Sequence, residues 1–153
     1  MKRRINYAAV SGVYDAMDSL DKYLESASIE PTILHLVRLY ASQMNGCAYC
    51  IDMHWKDLRA LGESEQRLYS LSAWRECPYY SARERAALEW TEAITHITDG
   101  HAPDDAFEAV KLQFNETEVA DLTLAIAAIN TWNRLSIAAR PVPGGYKATA
   151  AVA

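Results

Sequence analysis

Hydrophobic residues recur every three to four positions along most of the chain, which is the spacing of an amphipathic helix. No segment shows the strict alternation of a half-buried strand, and glycine and proline fall between the periodic segments. The sequence therefore predicts an all-α protein of about six to seven helices. They span about residues 7–26, 31–43, 47–61, 64–74, 81–97, a short helix from 103, and 115–138.

Signals at the expected helix ends support this reading. Pro31 suits a first helical position, Asn45-Gly46 separates the second and third helices, and Gly62 suits the end of the third. Residues 81–84 (Ser-Ala-Arg-Glu) and 115–118 (Asn-Glu-Thr-Glu) place a glutamate three positions after an N-cap residue. That arrangement is typical of a capping box, so both segments should begin helices.

The last predicted helix is apolar on nearly every side, notably from Leu122 to Ile129. Such a helix belongs in the centre of a core or in a subunit interface. At 153 residues the chain is long enough for one domain. We expect a single helical domain over residues 1–140 and a flexible C-terminal tail over residues 141–153.

Composition narrows the function classes. Hydrophobic residues make up 50% of the chain, and the net charge is −5. No basic patch is interleaved with aromatic residues, which argues against nucleic-acid binding. No apolar run is long enough to cross a bilayer, and no apolar stretch follows the basic residues 2–4 to make a signal peptide. We therefore expect a cytoplasmic protein without a membrane partner.

One segment points directly to chemistry. Cys47, Cys50 and His54 fall at i, i+3 and i+7, which places all three side chains on one face of a helix. Two thiols one turn apart can close a disulfide, and an imidazole can move the proton that thiol chemistry requires. A helix N-terminus favours a thiolate at Cys47, whereas the neighbouring histidine favours Cys50. The pattern indicates a redox pair and leaves the choice of nucleophile open.

Two other interpretations compete for these residues. The cysteines are small enough to be ordinary core residues beside a buried histidine. Alternatively, Cys47, Cys50 and His54 can ligate zinc, with His35 as a fourth ligand. The absence of a second Cys-x-x-Cys pair argues against zinc, so the prediction is no metal site. The third cysteine, Cys77, precedes a proline in an expected loop and is interpreted as a bystander.

The segment from Leu34 to His54, with its Ser-Gln-Met-Asn-Gly-Cys-Ala-Tyr-Cys stretch, resembles the core of the AhpD-like alkylhydroperoxidases. These belong to the wider carboxymuconolactone decarboxylase superfamily. The resemblance continues through residues 60–65, 81–89 and 122–134, and so covers most of residues 30–138. It implies an all-helical homo-oligomer, often a trimer or hexamer, that acts as a peroxidase.

By the same resemblance, Cys50 is the peroxidatic thiol, Cys47 resolves it, and His54 belongs to the proton relay. The substrate would be hydrogen peroxide or a small organic hydroperoxide, and a dithiol or a disulfide reductase would donate the electrons. No bound cofactor is needed, because the cysteine pair carries the electrons. Better-known members carry a glutamate twelve residues before the first cysteine, where this chain has His35. Either His35 replaces the carboxylate as a base, or the relay is broken and turnover is slow.

Weaker signals and other functions complete the picture. Asn130, Asn133 and Arg134 are polar residues in an apolar helix, which either orient substrate or satisfy buried and interfacial groups. One alternative function is that of a decarboxylase or lactone-acting enzyme of the wider superfamily, although that chemistry needs no thiol pair. The other is a non-enzymatic redox sensor whose disulfide alters oligomer packing.

Overall fold

The computed structural model describes residues 2–10 and 12–148, and within these ranges it contains helices and no strand. The all-α prediction is confirmed. The α-helices are α1 (Val13–Glu25), α2 (Pro31–Asn45), α3 (Ala48–Ala60), α4 (Glu65–Tyr69), α5 (Ala82–Thr95), α6 (Asp104–Lys111) and α7 (Glu116–Ala139), with 3-10 helices at Tyr7–Ala9 and Leu71–Glu76.

The predicted end signals act as expected. Both capping boxes form: Ser81 with Glu84 begins α5, and Asn115 with Glu118 begins α7. Gly46 ends α2 in the left-handed conformation, at φ 69°. A residue with a Cβ pays a steric cost in that region, which explains glycine at this turn.

Two expected helices are each divided in the structure. The first is a 3-10 turn followed by α1, because Gly12 takes φ 93° immediately before Val13. The fourth ends at Tyr69, and a 3-10 helix resumes after Ser70, whose backbone (φ −95°, ψ 5°) departs from α geometry. Hydrophobic periodicity does not register such local breaks. At the second break the apolar side chains face inward on both sides, with Leu68 and Leu71 buried, whereas no residue of the first 3-10 turn is buried.

Helices α2 and α7 form the centre of the molecule. Helix α2 packs against α3, α5 and α7, and α5 also packs against α6. Leu122, Ala125 and Ile126 of α7 are fully buried in the main core. The prediction that the apolar last helix is central is confirmed. Helix α3, with its cysteine motif, packs against α2 and α7, where Cys47 and Cys50 join Ala41 and Ile129 in a smaller cluster. No described helix combines the length and apolarity needed to cross a membrane.

The segment after α7 folds back along α3. The backbone N–H of Gly144 donates to Asp52, and the Lys56 ammonium donates to the carbonyls of Gly144 and Tyr146. These contacts fall within residues 141–148, the described part of the expected tail. Residues 149–153 lie outside the described residues. The flexibility of the tail stays a prediction, but its path brings one side chain, Tyr146, to the site described next.

Candidate active site

The cysteine motif lies at the junction of α2 and α3. Left-handed Gly46 turns the chain, Cys47 is the N-cap of α3, and Cys50 lies in its first turn. The backbone N–H of Cys50 donates to the Cys47 sulfur at 3.4 Å. The two cysteines form a disulfide and are 1% and 2% exposed. The pair therefore lies buried at a helix N-terminus.

His54 lies one turn beyond Cys50, and its Nδ1 faces two further groups. It is 3.5 Å from Oδ2 of Asp57 and 3.4 Å from Nδ1 of His35, which projects from α2. His35 Nδ1 lies 3.6 Å from the same carboxylate oxygen. The structure thus joins His35 to the predicted site and adds Asp57, a carboxylate that the sequence analysis did not select.

Burial and charge set the protonation of this cluster. Burial lowers the pKa of His54, although the neighbouring Asp57 carboxylate opposes the shift. Burial, followed by the charge of His54, lowers the pKa of His35 to about 4. Burial alone would raise the pKa of Asp57, but the neighbouring His54 imidazole and the hydrogen bond from Tyr146 outweigh it and lower that pKa. At neutral pH the cluster therefore holds two neutral imidazoles and one carboxylate.

A pocket of about 370 Å³ opens onto this cluster and onto Cys50. Its opposite wall comes from α1 and α7: Trp132 donates its indole N–H to Asp21 at 2.7 Å, and Arg38 pairs with the same carboxylate at 3.0 Å. The pocket as a whole is rich in acidic side chains, and Arg38 of α2 is the arginine that lines it. The acidic lining residues are Asp18, Asp21, Glu25 and Asp57.

Cys47 lines a different pocket, of about 750 Å³, between the start of α3 and the end of α7. Its walls are largely apolar, with Ile137 and Val142 among them. Arg4, Arg134 and Arg140 contribute positive charge, and no acidic side chain of the described residues lines it. The two cysteines thus line pockets of different character, Cys50 beside imidazoles and carboxylates and Cys47 beside apolar groups and arginines.

The two asparagines of α7 belong to a network of side-chain hydrogen bonds. The Asn45 side chain donates to Asn130 and Asn133, which in turn donate to Thr95 and Ser42 respectively. These amides satisfy one another where α7 packs on α2. They do not line the pocket beside Cys50, whereas Arg134 lines the pocket beside Cys47.

Sequence reasoning missed Asp57, Tyr146 and Arg38. The Tyr146 hydroxyl donates to Oδ1 of Asp57 at 2.7 Å, and its own pKa is raised by burial and by that carboxylate. Asp57 was detectable, because it follows His54 by three residues and so shares its helix face. Tyr146 lies 89 residues from its partner and carries no local signal.

A helical domain with a Cys-x-x-Cys pair at a helix start and a histidine one turn later defines the class of this protein. Residues 11–93 match the sequence profile of the carboxymuconolactone decarboxylase family. The uncharacterized protein YdfG of Bacillus subtilis (strain 168) is 46% identical over 140 residues, which cover 90% of this chain and 95% of YdfG. The chain therefore belongs to the carboxymuconolactone decarboxylase family.

Solved structures refine this placement. A protein of unknown function from Agrobacterium tumefaciens, provisionally described as an AhpD antioxidant defence protein, superposes with a TM-score of 0.91 at 44% identity, over 95% of this chain and 100% of that one. An AhpD core from Ralstonia eutropha JMP134, described as an uncharacterized peroxidase-related protein, superposes with a TM-score of 0.77 at 17% identity. The superposition covers 86% of this chain and 70% of that one. The second shares only the fold. The AhpD-like resemblance predicted from the sequence is confirmed.

Proposed function

We propose that this protein is a thiol-dependent peroxidase that reduces hydrogen peroxide or small organic hydroperoxides through the Cys47–Cys50 pair. The observation that carries the proposal is the placement of Cys50 in one pocket with His54, which is itself backed by Asp57. A thiol, a neutral base and a group that orients the base are the parts that activate a cysteine nucleophile.

In the first step, His54 accepts the thiol proton of Cys50. Its Nδ1 faces Asp57, so Nε2 is the nitrogen left for the thiol, and Asp57 stabilises the imidazolium. The thiolate then attacks one peroxide oxygen and breaks the O–O bond. Cys50 becomes a sulfenic acid, and the leaving alkoxide or hydroxide takes the proton back from His54. His35 lies on the Nδ1 side of His54, so its role is to adjust the basicity of His54 and not to accept the thiol proton itself.

In the second step, the Cys47 thiol condenses with the sulfenic acid, which releases water and forms the disulfide. An external dithiol then reduces the pair: its thiolate attacks Cys47, and its second thiol closes the donor's own disulfide as both protein thiols are restored. Attack at Cys47 fits the place of this residue in the lining of the separate pocket with arginines. Peroxide and donor thus approach different sulfurs.

The lining of the Cys50 pocket limits the substrate. Four acidic residues against one arginine disfavour an anionic peroxide, and Tyr14, Tyr49 and Trp132 offer apolar surface. Small neutral hydroperoxides fit this chemistry better than peroxides of fatty acids. A homo-oligomer, trimer or hexamer, is part of the proposal and is tested by analytical ultracentrifugation.

The experiment that tests the function is stopped-flow oxidation of the reduced protein by hydrogen peroxide and cumene hydroperoxide, with mass spectrometry of the product. We expect rapid loss of two thiols and a mapped Cys47–Cys50 bond. Cys50→Ser should reduce peroxide consumption to background, and Cys47→Ser should leave a sulfenic acid that dimedone traps. Cys77→Ser is the matched control and should react like the parent chain.

Two results would contradict the proposal. Thiol loss no faster than that of free cysteine, with a change in assembly size on oxidation, would favour a redox sensor. Full activity of the Cys47→Ser/Cys50→Ser double variant on a muconolactone would favour the decarboxylase chemistry for which the family is named.

A further inference from the structure

His35, His54 and Asp57 form a nearly equilateral triangle of ligand atoms. The two Nδ1 atoms are 3.4 Å apart, and they lie 3.6 Å and 3.5 Å from the same carboxylate oxygen. One potential ligand atom from each of the three side chains therefore lies within reach of a single bound ion. The three residues also line the pocket beside Cys50, so the position of such an ion is reached from the open side.

Hydrogen bonding alone explains the triangle poorly. A good N–H···O bond spans about 2.7–3.2 Å, and all three separations are longer. A neutral imidazole has one N–H, so two Nδ1 atoms that face each other and one carboxylate cannot all be paired with good geometry. Side chains held only by these contacts would be expected to close on one another.

Metal coordination explains the same distances. Zinc binds histidine nitrogen and carboxylate oxygen at about 2.0–2.2 Å, which in a tetrahedron separates neighbouring ligand atoms by about 3.4 Å. We propose that His35, His54 and Asp57 bind a divalent transition-metal ion of the zinc type. The fourth coordination position would then face the pocket, as in sites with two histidines and one carboxylate that keep an open position.

The surroundings support a cation at this point. The Tyr146 hydroxyl holds the other oxygen of Asp57, which orients the ligating oxygen as second-shell groups do in metal sites. The pocket is acidic overall. Its cation, Arg38, already pairs with Asp21 at 3.0 Å, which offsets the repulsion between its guanidinium and a bound ion.

Metal binding and proton transfer would compete for His54. As a base for Cys50, His54 needs its lone pair on Nε2 and its proton on Nδ1. With a metal on Nδ1 the proton moves to Nε2, and the imidazole can no longer accept one from the thiol. This consequence rests on the proposed peroxidase function: the metal should inhibit the peroxide half-reaction.

The binding test uses the untagged protein in its oxidised form with Cys77→Ser, so that no free thiol can ligate. Isothermal titration with Zn²⁺ should give one ion per chain. His35→Gln and Asp57→Asn should each weaken binding at least tenfold, since each removes a ligand. His96→Gln and Asp104→Asn, at two exposed residues away from the pocket, are the matched controls and should bind like the parent.

Co²⁺ provides a second measurement that does not depend on variants. It should show the visible absorption of a tetrahedral site without a sulfur-to-metal charge-transfer band. Absence of stoichiometric binding by the folded parent protein would overturn the metal site. Equal loss of affinity in the Asp104→Asn control would do the same.

Inhibition is tested separately on the reduced Cys77→Ser protein. Zn²⁺ should slow peroxide-dependent thiol loss at least tenfold in this background and have little effect when His35→Gln is added. Equal inhibition with His35→Gln would mean that zinc acts through the thiols, which would overturn the regulatory consequence. If the protein showed no peroxidase activity, the proposed function would fail while the titration would still decide the metal site.

Discussion

The hydroxyl of Tyr146 donates a 2.7 Å hydrogen bond to Oδ1 of Asp57, whose other oxygen faces His54. The C-terminal segment and helix α3 therefore share one carboxylate. A residue beyond the last helix thus becomes part of the support for the candidate base. The order of that segment and the geometry of the site are expected to change together.

Replacing Tyr146 by phenylalanine tests this link. The variant keeps the ring and removes the donor to Asp57, so the free energy of unfolding should fall by about 1 kcal/mol. Urea denaturation at pH 7 measures the change. Tyr69→Phe, at a tyrosine that is 72% exposed, is the control. Equal effects of the two variants would mean that the Tyr146 hydrogen bond contributes nothing.

His54→Gln tests the base. Glutamine cannot accept the thiol proton, and loss of a positioned base typically slows a reaction by about 10²–10⁴-fold. Stopped-flow thiol loss with hydrogen peroxide should show a decrease of this size, and alkylation of Cys50 by iodoacetamide at pH 7 should slow as well. His96→Gln should leave both rates unchanged. Thiol loss at the parent rate in His54→Gln would assign the proton transfer to another group.

The lowered pKa of His35 makes stability depend on pH. Its pKa is about 4 in the folded protein and about 6.5 in the unfolded chain, so between these values the unfolded state binds the extra proton. The stabilising contribution of neutral His35 is complete above pH 6.5 and is lost as the pH falls toward 4.

His35→Gln should therefore flatten the fall in unfolding free energy over this window, by up to about 1.4 kcal/mol per pH unit. Urea denaturation at half-unit steps from pH 4 to 7 gives the slope, with His96→Gln as the matched substitution. A His35→Gln slope that coincides with that of the parent would show that His35 titrates alike in both states.

The arginines beside Cys47 should select the charge of the donor. Arg140→Gln removes one positive charge from that pocket. Reduction of the disulfide by 2-mercaptoethanesulfonate, an anion, should slow by about two- to tenfold, while reduction by neutral 2-mercaptoethanol of similar size should change little.

In the parent protein, added salt should reduce the difference between the rates at which the anionic and the neutral thiol reduce the disulfide. Arg59→Gln is the control, because Arg59 lines neither pocket. If Arg140→Gln slowed both thiols equally, the cause would be altered structure rather than charge.

Gly46→Ala tests the turn that presents Cys47. The site has room for a methyl group, but its φ of 69° is left-handed, which costs a non-glycine residue about 1–2 kcal/mol. Unfolding free energy should fall by this amount. Gly145→Ala, which also has room and no left-handed φ, should cost less. A cost at Gly46 no larger than at Gly145 would mean that the turn relaxes.

The structural features that could be predicted from the sequence are those that depend on residues close to one another in the chain. Both capping boxes, the Gly46 turn and the one-turn spacing of Cys50 and His54 are local, and each forms as expected. The approach of His35 to His54 depends on how α2 packs against α3, which periodicity does not specify. The fold-back of Tyr146 depends on contacts made across 89 residues, and no local pattern encodes it.

The position of the disulfide between two pockets has a kinetic consequence. Cys50 opens to one and Cys47 to the other, with Tyr49 and Ser136 as shared walls. An oxidant and a reductant that use separate entrances do not exclude each other, so a large excess of either should not suppress turnover by the other. Double-reciprocal plots for the two substrates should then be parallel, without substrate inhibition by the thiol.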